Sequence, residues 1–198
     1  MYQPQPLPFK KPLKGISEKT ITIHHDKLYA GYVAKKNEIE EKLAKVDLAS
    51  ANQTYSDLRA LKDGESFAVN GTYLHENYFN VLGGEGKPEG EIVKQIEKDF
   101  GSYEKWESMF KACGMAARGW AITAWDTVEK KLKIYIGDAQ NQGGIWWSMP
   151  VICLDVYEHS YFIDYGSDRK AYIEDFMKNL NWSTANDWFN RFKTISRD

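Results

Sequence analysis

The sequence predicts an α+β protein, with an N-terminal antiparallel helical hairpin and a C-terminal α/β domain that contains a three-stranded antiparallel sheet. Apolar residues recur at helical spacing through the first half, whereas three runs rich in β-branched and aromatic residues lie within 119–156. Between the two halves, GGEGKPEG at 83–90 combines glycines with a proline, which is typical of a linker. These observations predict one domain over 1–85 and a second over 86–198.

The first domain is predicted to begin with an arm. Its prolines lack an amide donor and restrict the residues before them, so residues 1–15 are expected to lie extended on the surface. Ser17 is the predicted N-cap of a long helix over about 18–46. Two shorter helices, over about 54–62 and 67–81, complete the predicted hairpin.

The second domain is predicted to open with two amphipathic helices, GEIVKQIEKDF and SYEKWESMFKACGMA, the latter capped by Ser102. The strand-like runs are GWAITAW, KLKIYI and MPVICLDV, and a polar turn joins the first two as a hairpin. From Tyr161 to Phe192 the pattern is helical again.

Composition argues against several classes of partner. The formal charge of -2 and a pI near 6.1 give no broad electrostatic reason to bind nucleic acid or an anionic membrane. No signal-like apolar segment opens the chain, and no apolar run approaches the roughly 18 residues of a membrane span. Cys113 and Cys153 lack the spacing of a disulfide framework or a thiolate zinc site. We therefore expect a cytoplasmic protein with no nucleic-acid or membrane partner.

The histidines lie on apolar or aromatic elements instead of polar loops. His24, Leu28 and Tyr32 are spaced i, i+4 and i+8, which predicts one inward stripe of the first helix. His25 is expected to point about a quarter-turn away. A single histidine of this kind is more often an ordinary hydrogen-bonded residue, so the hypothesis of a functional site depends on the set.

Gly71 precedes His75 by one turn of the third predicted helix and shares a face with Phe79 as well. A glycine within a helix costs about 1 kcal/mol relative to alanine, which is consistent with a need for space beside it. The alternative, a helix that frays at Asn70-Gly71, is equally compatible with the sequence.

Asp155 and His159 form the sharpest pair. Asp155 directly follows the apolar run PVICL, where an unpaired carboxylate would be costly and a cation would offset that cost. Carboxylate and imidazole ligands without a thiolate suit iron, manganese or zinc. Glu158 is placed to act as a carboxylate that orients a ligand histidine.

Several blocks, in this order, resemble the iron/manganese superoxide dismutases over nearly the whole chain: HHDKLYAGYV at 24–33, the turn from Gly71 to His75, GKPEGEIVKQIEKDFGSYEKWESMF at 86–110, GW at 119–120 and DVYEHSYFIDY at 155–165. The most specific block is DVYEHSYF, which is similar to that family's DxWEHAYY signature. The resemblance implies an enzyme that converts superoxide to dioxygen and hydrogen peroxide by redox cycling of one manganese or iron ion per chain.

The resemblance also implies the ligands of that ion. His24 and His75 would come from the hairpin, and Asp155 and His159 from the second domain. The family's fold places the last two at the end of a strand and in the turn after it, not on one helical face.

Tyr32 is similar to the family's tyrosine at the substrate funnel, which hydrogen-bonds to a glutamine and relays protons. In the manganese type that glutamine comes from the second domain, and in the iron type it occupies the position of Gly71. The resemblance puts Gln140 in this role, with Gln142 as the alternative, and so slightly favours manganese. Trp120 is similar to the tryptophan that lines the site.

Leu28 and Phe162 depart from the family pattern, in which a histidine and the opposite subunit's tyrosine hydrogen-bond to each other. Both polar groups are absent here, so an apolar contact that leaves neither partner unsatisfied is expected. Tyr157 and Phe79 replace tryptophans of the family and alter the aromatic wall without removing a ligand. These departures predict a working but altered funnel.

Glu158 matches the residue that, in the family, pairs with the partner subunit's ligand histidine. This implies a homodimer and leaves a tetramer open. Lys27 and Arg169 are candidates for a positively charged entrance, although each is equally compatible with an ordinary solvated charge.

Two other functions remain as alternatives. The first is a non-redox metal protein or an iron oxygenase that uses His75, Asp155 and His159. The second is a dismutase-like scaffold that has lost its activity. A fourth implied ligand, His24, argues against the oxygenase, and the retention of all four ligands with Tyr32 argues against the inactive scaffold.

Overall fold

The computed structural model describes residues 1–195. Its first long helix changes from α-helical to π-helical winding and back. Helix α1 (Glu18–Ile23) continues without a break through a π-helical segment (His24–Tyr29) into α2 (Ala30–Leu43). The hydroxyl of Ser17 accepts the backbone N–H of Thr20 at 3.1 Å, so the predicted N-cap is confirmed. The helix ends three residues before the predicted 46, within the usual variation of helix ends.

The second long helix, α3 (Asp57–Asn80), corrects the prediction of two helices over 54–62 and 67–81. The polar stretch KDGES interrupts the apolar pattern but does not end the helix. A Cβ on Gly64 would lie 3.4 Å from Ile39 of α2, an ordinary packing distance, so the packed partner helix supports α3 at its weakest point. Helices α2 and α3 form the predicted hairpin.

The arm before α1 contains no helix or strand in residues 1–16. The amide of Tyr2 donates to Oδ1 of Asn37, and Nδ2 of Asn37 donates back to the carbonyl of Tyr2, each at 2.9 Å. The phenol of Tyr2 also donates to Glu76 of α3 at 3.0 Å. The start of the arm is therefore fastened across the hairpin.

The second half has the predicted order of helices, strands and helices, and the predicted α+β fold class is confirmed. Its elements are α4 (Glu91–Phe100), α5 (Tyr103–Ala116), β1 (Trp120–Asp126), β2 (Lys131–Gly137), β3 (Ser148–Asp155), a 3₁₀ turn (Glu158–Ser160), α6 (Phe162–Tyr165), α7 (Arg169–Lys178) and α8 (Trp182–Phe192).

The three strands form one antiparallel sheet in the order β2-β1-β3. The register pairs Trp120 with Gly137 on one side and with Asp155 on the other. Asn77 of α3 joins the hairpin to the sheet, because its amide group accepts the N–H of Cys153 at 3.1 Å and donates to the carbonyl of Pro150 at 3.2 Å. The end of β3 is thereby held against α3.

The cysteines and the helix lengths complete the description of the fold. Cys153 is buried, Cys113 is half-buried, and both are free thiols. Within residues 1–195, no helix is both long and apolar enough to cross a membrane.

Candidate metal centre

Four side chains from the two halves of the chain converge on one buried point. Nε2 of His24 and Nε2 of His159 each lie 3.2 Å from Oδ2 of Asp155, and Nε2 of His75 lies 3.4 Å from the same oxygen. One ligand atom from each residue lies within 4.8 Å of all the others. The structure therefore brings together the four residues that the sequence singled out as ligands.

The hairpin supplies its two histidines from within long helices. His24 is the first residue of the π-helical segment, and His75 lies in the C-terminal part of α3; both are fully buried. A π-helical turn contains an extra residue, and here Tyr29 is 1% exposed while Leu28 is only half-buried. The inward stripe predicted through Leu28 is therefore shifted, which the α-helical spacing did not anticipate.

The second half supplies its two residues from the end of a strand and the turn that follows. Asp155 is the last residue of β3, and His159 lies in the 3₁₀ turn. The backbone N–H of Tyr157 donates to Oδ1 of Asp155 at 2.9 Å, which leaves Oδ2 to face the histidines. The phenol of Tyr172 donates to the carbonyl of Asp155 at 2.7 Å.

The tautomer of His75 tests whether a cation fits this site. Its Nδ1 lies 2.5 Å from the carbonyl oxygen of Gly71, which can only accept, so Nδ1 carries the ring proton. Nε2 is then unprotonated and carries a lone pair. It is buried without a hydrogen-bond partner and faces the carboxylate of Asp155. Two electron-rich atoms facing each other in a buried site repel unless a cation lies between them, so this donor set fits a metal ion.

The electrostatics of the cluster agree with this test. Burial lowers the pKa of His75 to about 3, with the neighbouring His24 as the next cause, and burial also lowers the pKa of His24. Burial would raise the pKa of Asp155, but the facing His159 and His24 outweigh it and hold that pKa well below its usual range. The site therefore presents two neutral imidazoles, His24 and His75, and an ionised carboxylate, the forms that bind metals. Burial tends to lower the pKa of His159, but the facing Asp155 carboxylate outweighs it and raises that pKa.

Aromatic rings wall the cluster. Tyr78 and Phe79 each lie 5.1 Å from the ring of His24, measured between centroids. Tyr157 stacks on His159 at 5.3 Å, and Trp120 packs edge-on against His75 at 5.2 Å. Tyr157 and Phe79 thus occupy the wall positions that the sequence assigned to them.

Tyr32, Gln140 and Trp120 form a hydrogen-bonded chain beside the cluster. Nε2 of Gln140 donates to the phenol oxygen of Tyr32 at 3.2 Å, and Nε1 of Trp120 donates to Oε1 of Gln140 at 2.9 Å. The indole can only donate, so it fixes the orientation of the amide. Gln140 is 3% exposed, whereas Gln142 is exposed, so of the two candidate glutamines it is Gln140 that reaches Tyr32.

Gly71 provides the space in which Tyr32 lies. A Cβ at position 71 would come within 2.5 Å of Cδ1 of the Tyr32 ring. Gly71 lies in the middle of the continuous helix α3, so the alternative of a frayed helix start is wrong. The ring of Tyr32 also excludes a glutamine side chain from position 71.

Other candidate residues lie away from the cluster. His25 faces the arm, where its Nε2 lies 2.9 Å from the carbonyl oxygen of Gln5. Arg169 donates to the carbonyl of Ala117 at 2.8 Å and to the phenol of Tyr161 at 3.3 Å, so it joins the start of α7 to the end of α5. Lys27 is exposed on the π-helical segment.

The residues expected at a subunit interface are accessible in the single chain. Glu158 is exposed, Phe162 is 55% exposed, and Leu28 is half-buried. The side chain of His159 is 26% exposed, unlike the other three members of the cluster. His159 is therefore the member of the cluster that is accessible in the single chain.

Sequence reasoning missed Tyr172, which donates to the backbone carbonyl of Asp155 and whose phenol oxygen accepts the hydroxyl of Tyr78 at 3.1 Å. Its position in an amphipathic helix is indistinguishable from that of an ordinary core tyrosine. The high aromatic content was the only signal that pointed toward such a contact.

A helical hairpin and a three-stranded sheet domain that together enclose three imidazoles and one carboxylate define a metalloprotein with a His₃Asp site between its two halves. Comparison with known proteins identifies the family within this class of metalloproteins. The family model described as the alpha-hairpin domain of iron/manganese superoxide dismutases matches residues 2–83, and that of the C-terminal domain matches residues 88–188.

Curated relatives agree over most of their length. A superoxide dismutase [Fe] of Aquifex pyrophilus is 43% identical, over 90% of this chain and 86% of the relative. A superoxide dismutase [Mn] of Haloarcula marismortui is 39% identical, over 86% of this chain and 83% of the relative. A superoxide dismutase [Fe] of Cupriavidus metallidurans is 37% identical over the full length of both chains.

The chain belongs to the iron/manganese superoxide dismutase family. It is an oxidoreductase that converts superoxide to dioxygen and hydrogen peroxide with one manganese or iron ion. This confirms the function that the sequence resemblance implied and sets aside the oxygenase and non-redox alternatives.

Proposed function

We propose that His24, His75, Asp155 and His159 are the ligands of the single manganese or iron ion. The observation that carries the proposal is the orientation of the His75 ring: its Nδ1 lies against the carbonyl of Gly71, and its Nε2 faces the Asp155 carboxylate without a hydrogen-bond partner. The convergence of three Nε2 atoms on one carboxylate oxygen supports the same set.

A bound manganese or iron ion supplies one-electron redox chemistry, taking an electron from one superoxide and giving one to the next. The chain's own residues exclude bulk water and manage protons, because two protons are needed for each hydrogen peroxide formed. The buried rings of Trp120, Tyr78 and Phe79 keep the site dry on the interior side. In such a site each hydrogen bond is stronger than in water.

Tyr32 and Gln140 are the proposed proton-handling pair. The phenol oxygen of Tyr32 accepts the Nε2–H of Gln140, so its own O–H is left to donate to substrate or water. Trp120 holds the amide of Gln140 in the orientation this requires. The pair can thus hold a proton at Oη of Tyr32 and pass it on when a peroxide anion forms.

We also propose that manganese is the preferred metal. Gln140 reaches Tyr32 from the second half of the chain, and Tyr32 itself fills the space in which a glutamine at position 71 would lie. Relatives of similar identity carry either metal in their names, so the preference depends on these contacts. Reconstitution of the metal-free protein with each metal tests it; activity restored by iron alone would reverse the assignment.

A homodimer is the proposed assembly, with a tetramer as the larger alternative. The partly exposed His159 and the adjacent exposed Glu158 are available to pair with the partner's corresponding residues. Phe162, 55% exposed, would cover Leu28 of the partner. Sedimentation of the wild type and of Glu158→Ala tests this: the wild type should be a dimer or tetramer, and the variant should dissociate at a higher protein concentration.

We also propose a domain division and a cellular location. We place the boundary between 85 and 86, in the glycine-rich linker. Residues 196–198 of the second domain lie outside the described residues.

The free thiols of Cys113 and Cys153 are compatible with a reducing compartment and support a cytoplasmic, antioxidant role. Fractionation of the native source would test the location.

The ligand set is tested by His159→Ala with His25→Ala as the matched control. We expect His159→Ala to lose the metal and at least about 100-fold of the activity, because one of four ligands is gone. His25→Ala should retain one metal ion per chain and near wild-type activity. Metal content and superoxide decay measured on the same samples decide between them; full activity of His159→Ala would refute the ligand set.

A further inference from the structure

Gln140 lies in a tight turn that is not part of any strand. The turn spans residues 139–142 and is closed by one backbone bond, from the N–H of Gln142 to the carbonyl of Ala139 at 3.2 Å. Residues 142–147 are all exposed, and Gly143 has a positive φ of 89°. The backbone of Gly143 lies close against Ile136 and Gly137, so the chain after the turn is held to the end of β2. This contact leaves the distance between the turn and the hairpin to be set by other bonds.

The second central residue of this turn, Asn141, points the other way and crosses to the hairpin. Its Nδ2 lies 3.2 Å from Oδ1 of Asp63 and 3.3 Å from Oγ of Ser66. Ser66 already donates its hydroxyl proton to the carbonyl of Asp63 at 2.9 Å, so its oxygen is free to accept from Asn141. One side-chain amide thus ties the turn to α3 through two acceptors.

One acceptor, Asp63, lies on the stripe of α3 that builds the site, and the other, Ser66, lies beside it. This stripe, at intervals of four residues, contains Asp63, Phe67, Gly71 and His75. Phe67 packs on the ring of Tyr32 at 6.0 Å, and Gly71 makes room for that ring. The bonds of Asn141 therefore hold the turn against the same rigid helix that seats Tyr32.

We propose that Asn141, bonded to Asp63 and Ser66, is a positioning residue that holds Gln140 at hydrogen-bonding distance from Tyr32. The turn directs Gln140 into the site and Asn141 onto α3. Any movement of the turn away from the hairpin therefore lengthens both the Gln140–Tyr32 bond and the bonds of Asn141. This inference depends on the proposed role of Gln140, and it adds a residue that touches neither the ligands nor the substrate.

The test compares Asn141→Ala, Gln140→Ala and the double variant in the metal-loaded enzyme, with Gln142→Ala as the matched control in the same turn. We expect Asn141→Ala to lower kcat by about three- to tenfold, because a misplaced proton donor is less effective. Hydrogen exchange of the Gln142 amide should accelerate by a similar factor. Gln142→Ala should leave kcat unchanged.

Coupling and rescue separate positioning from a general structural effect. In the Gln140→Ala background, Asn141→Ala should have no further effect on kcat. Asn141→Asp places a carboxylate against Asp63 and should impair the enzyme, whereas Asn141→Asp combined with Asp63→Asn exchanges donor and acceptor and should restore kcat to within about twofold.

Two results would overturn the proposal: unchanged amide exchange in Asn141→Ala, or an equal loss of kcat with and without Gln140. A different result, wild-type kcat in Gln140→Ala alone, would remove the proton-handling role of Gln140. In that case the exchange measurement still decides whether Asn141 holds the turn.

Discussion

The two halves of the molecule build one site in different ways. In the hairpin, His24 and His75 lie within long helices, where each backbone bond is supported by its neighbours along the helix. In the second half, Asp155 ends a strand and Gln140 lies in a turn closed by one backbone bond. The hairpin half of the site therefore depends on helix packing, whereas the other half depends on a few individual hydrogen bonds.

Removal of the metal should give the largest effect and should separate the halves. A ligand at 1,000 times its Kd stabilises the native state by about 4 kcal/mol, so the metal-free protein should unfold at lower denaturant. Without the ion, the turn around His159 should gain hydrogen exchange more than the middle of α3. Urea unfolding and exchange measured with and without metal check this; equal loss of protection in both halves would contradict the comparison.

Gly71→Ala should give the next largest effect, on the hairpin side. The new Cβ meets Tyr32 at 2.5 Å, and overpacking of this kind costs about 1 to 3 kcal/mol, against roughly 1 kcal/mol gained in helix propensity. Because Tyr32 must move, kcat should fall together with the free energy of unfolding.

Gly31→Ala is the matched control, since nothing lies within 4 Å of the Cβ that it adds to α2. We expect it to stabilise the protein by up to about 1 kcal/mol and to leave kcat unchanged. Denaturant unfolding and superoxide decay measured on both variants test the pair. Similar behaviour of the two glycines would show that helix packing at Tyr32 is not limiting.

The smallest effect should come from Asp164, which joins the halves outside the site. It accepts the N–H of Ser17 at 2.8 Å and the hydroxyl of Thr20 at 2.7 Å. Burial tends to raise its pKa, but these bonds outweigh burial and lower it below the ordinary value. A lowered carboxyl pKa stabilises the native state above the unfolded pKa of about 4, and this contribution is lost as the pH falls through the folded value.

Asp164→Asn should therefore be less stable than the wild type near neutral pH, and the two should converge as the pH falls below about 4. Urea titrations across this range measure the difference. A gap that stays constant down to the lowest pH would show that ionisation of Asp164 contributes nothing to stability.

The helices and strands could be predicted largely from local patterns. Ser17 and the apolar spacing marked the first helix, and the β-branched runs marked the strands, because these signals lie within a few residues of one another. The continuity of α3 through KDGES was not predictable, since it depends on packing against α2. The π-helical turn, which buries Tyr29 in place of Leu28, has no signal in residue spacing.

Individual residues of the site could be predicted from the sequence, but their contacts with one another could not. The histidines and Asp155 stood out by their apolar surroundings, but their grouping and the role of Gln140 came from the resemblance to a family. The contacts of Tyr172 with Asp155 and of Asn141 with Asp63 join residues 17 and 78 positions apart. Such contacts form only when parts of the chain that are distant in sequence have packed together, so no local pattern predicts them.

The central claim is that one metal ion lies among His24, His75, Asp155 and His159. Anomalous diffraction from crystals of the manganese-loaded protein, collected above and below the metal absorption edge, tests it most directly. We predict a single strong peak per chain within bonding distance of the three Nε2 atoms and Oδ2 of Asp155. A peak elsewhere, or one that His25 or another residue ligates in place of any of these four, would contradict it.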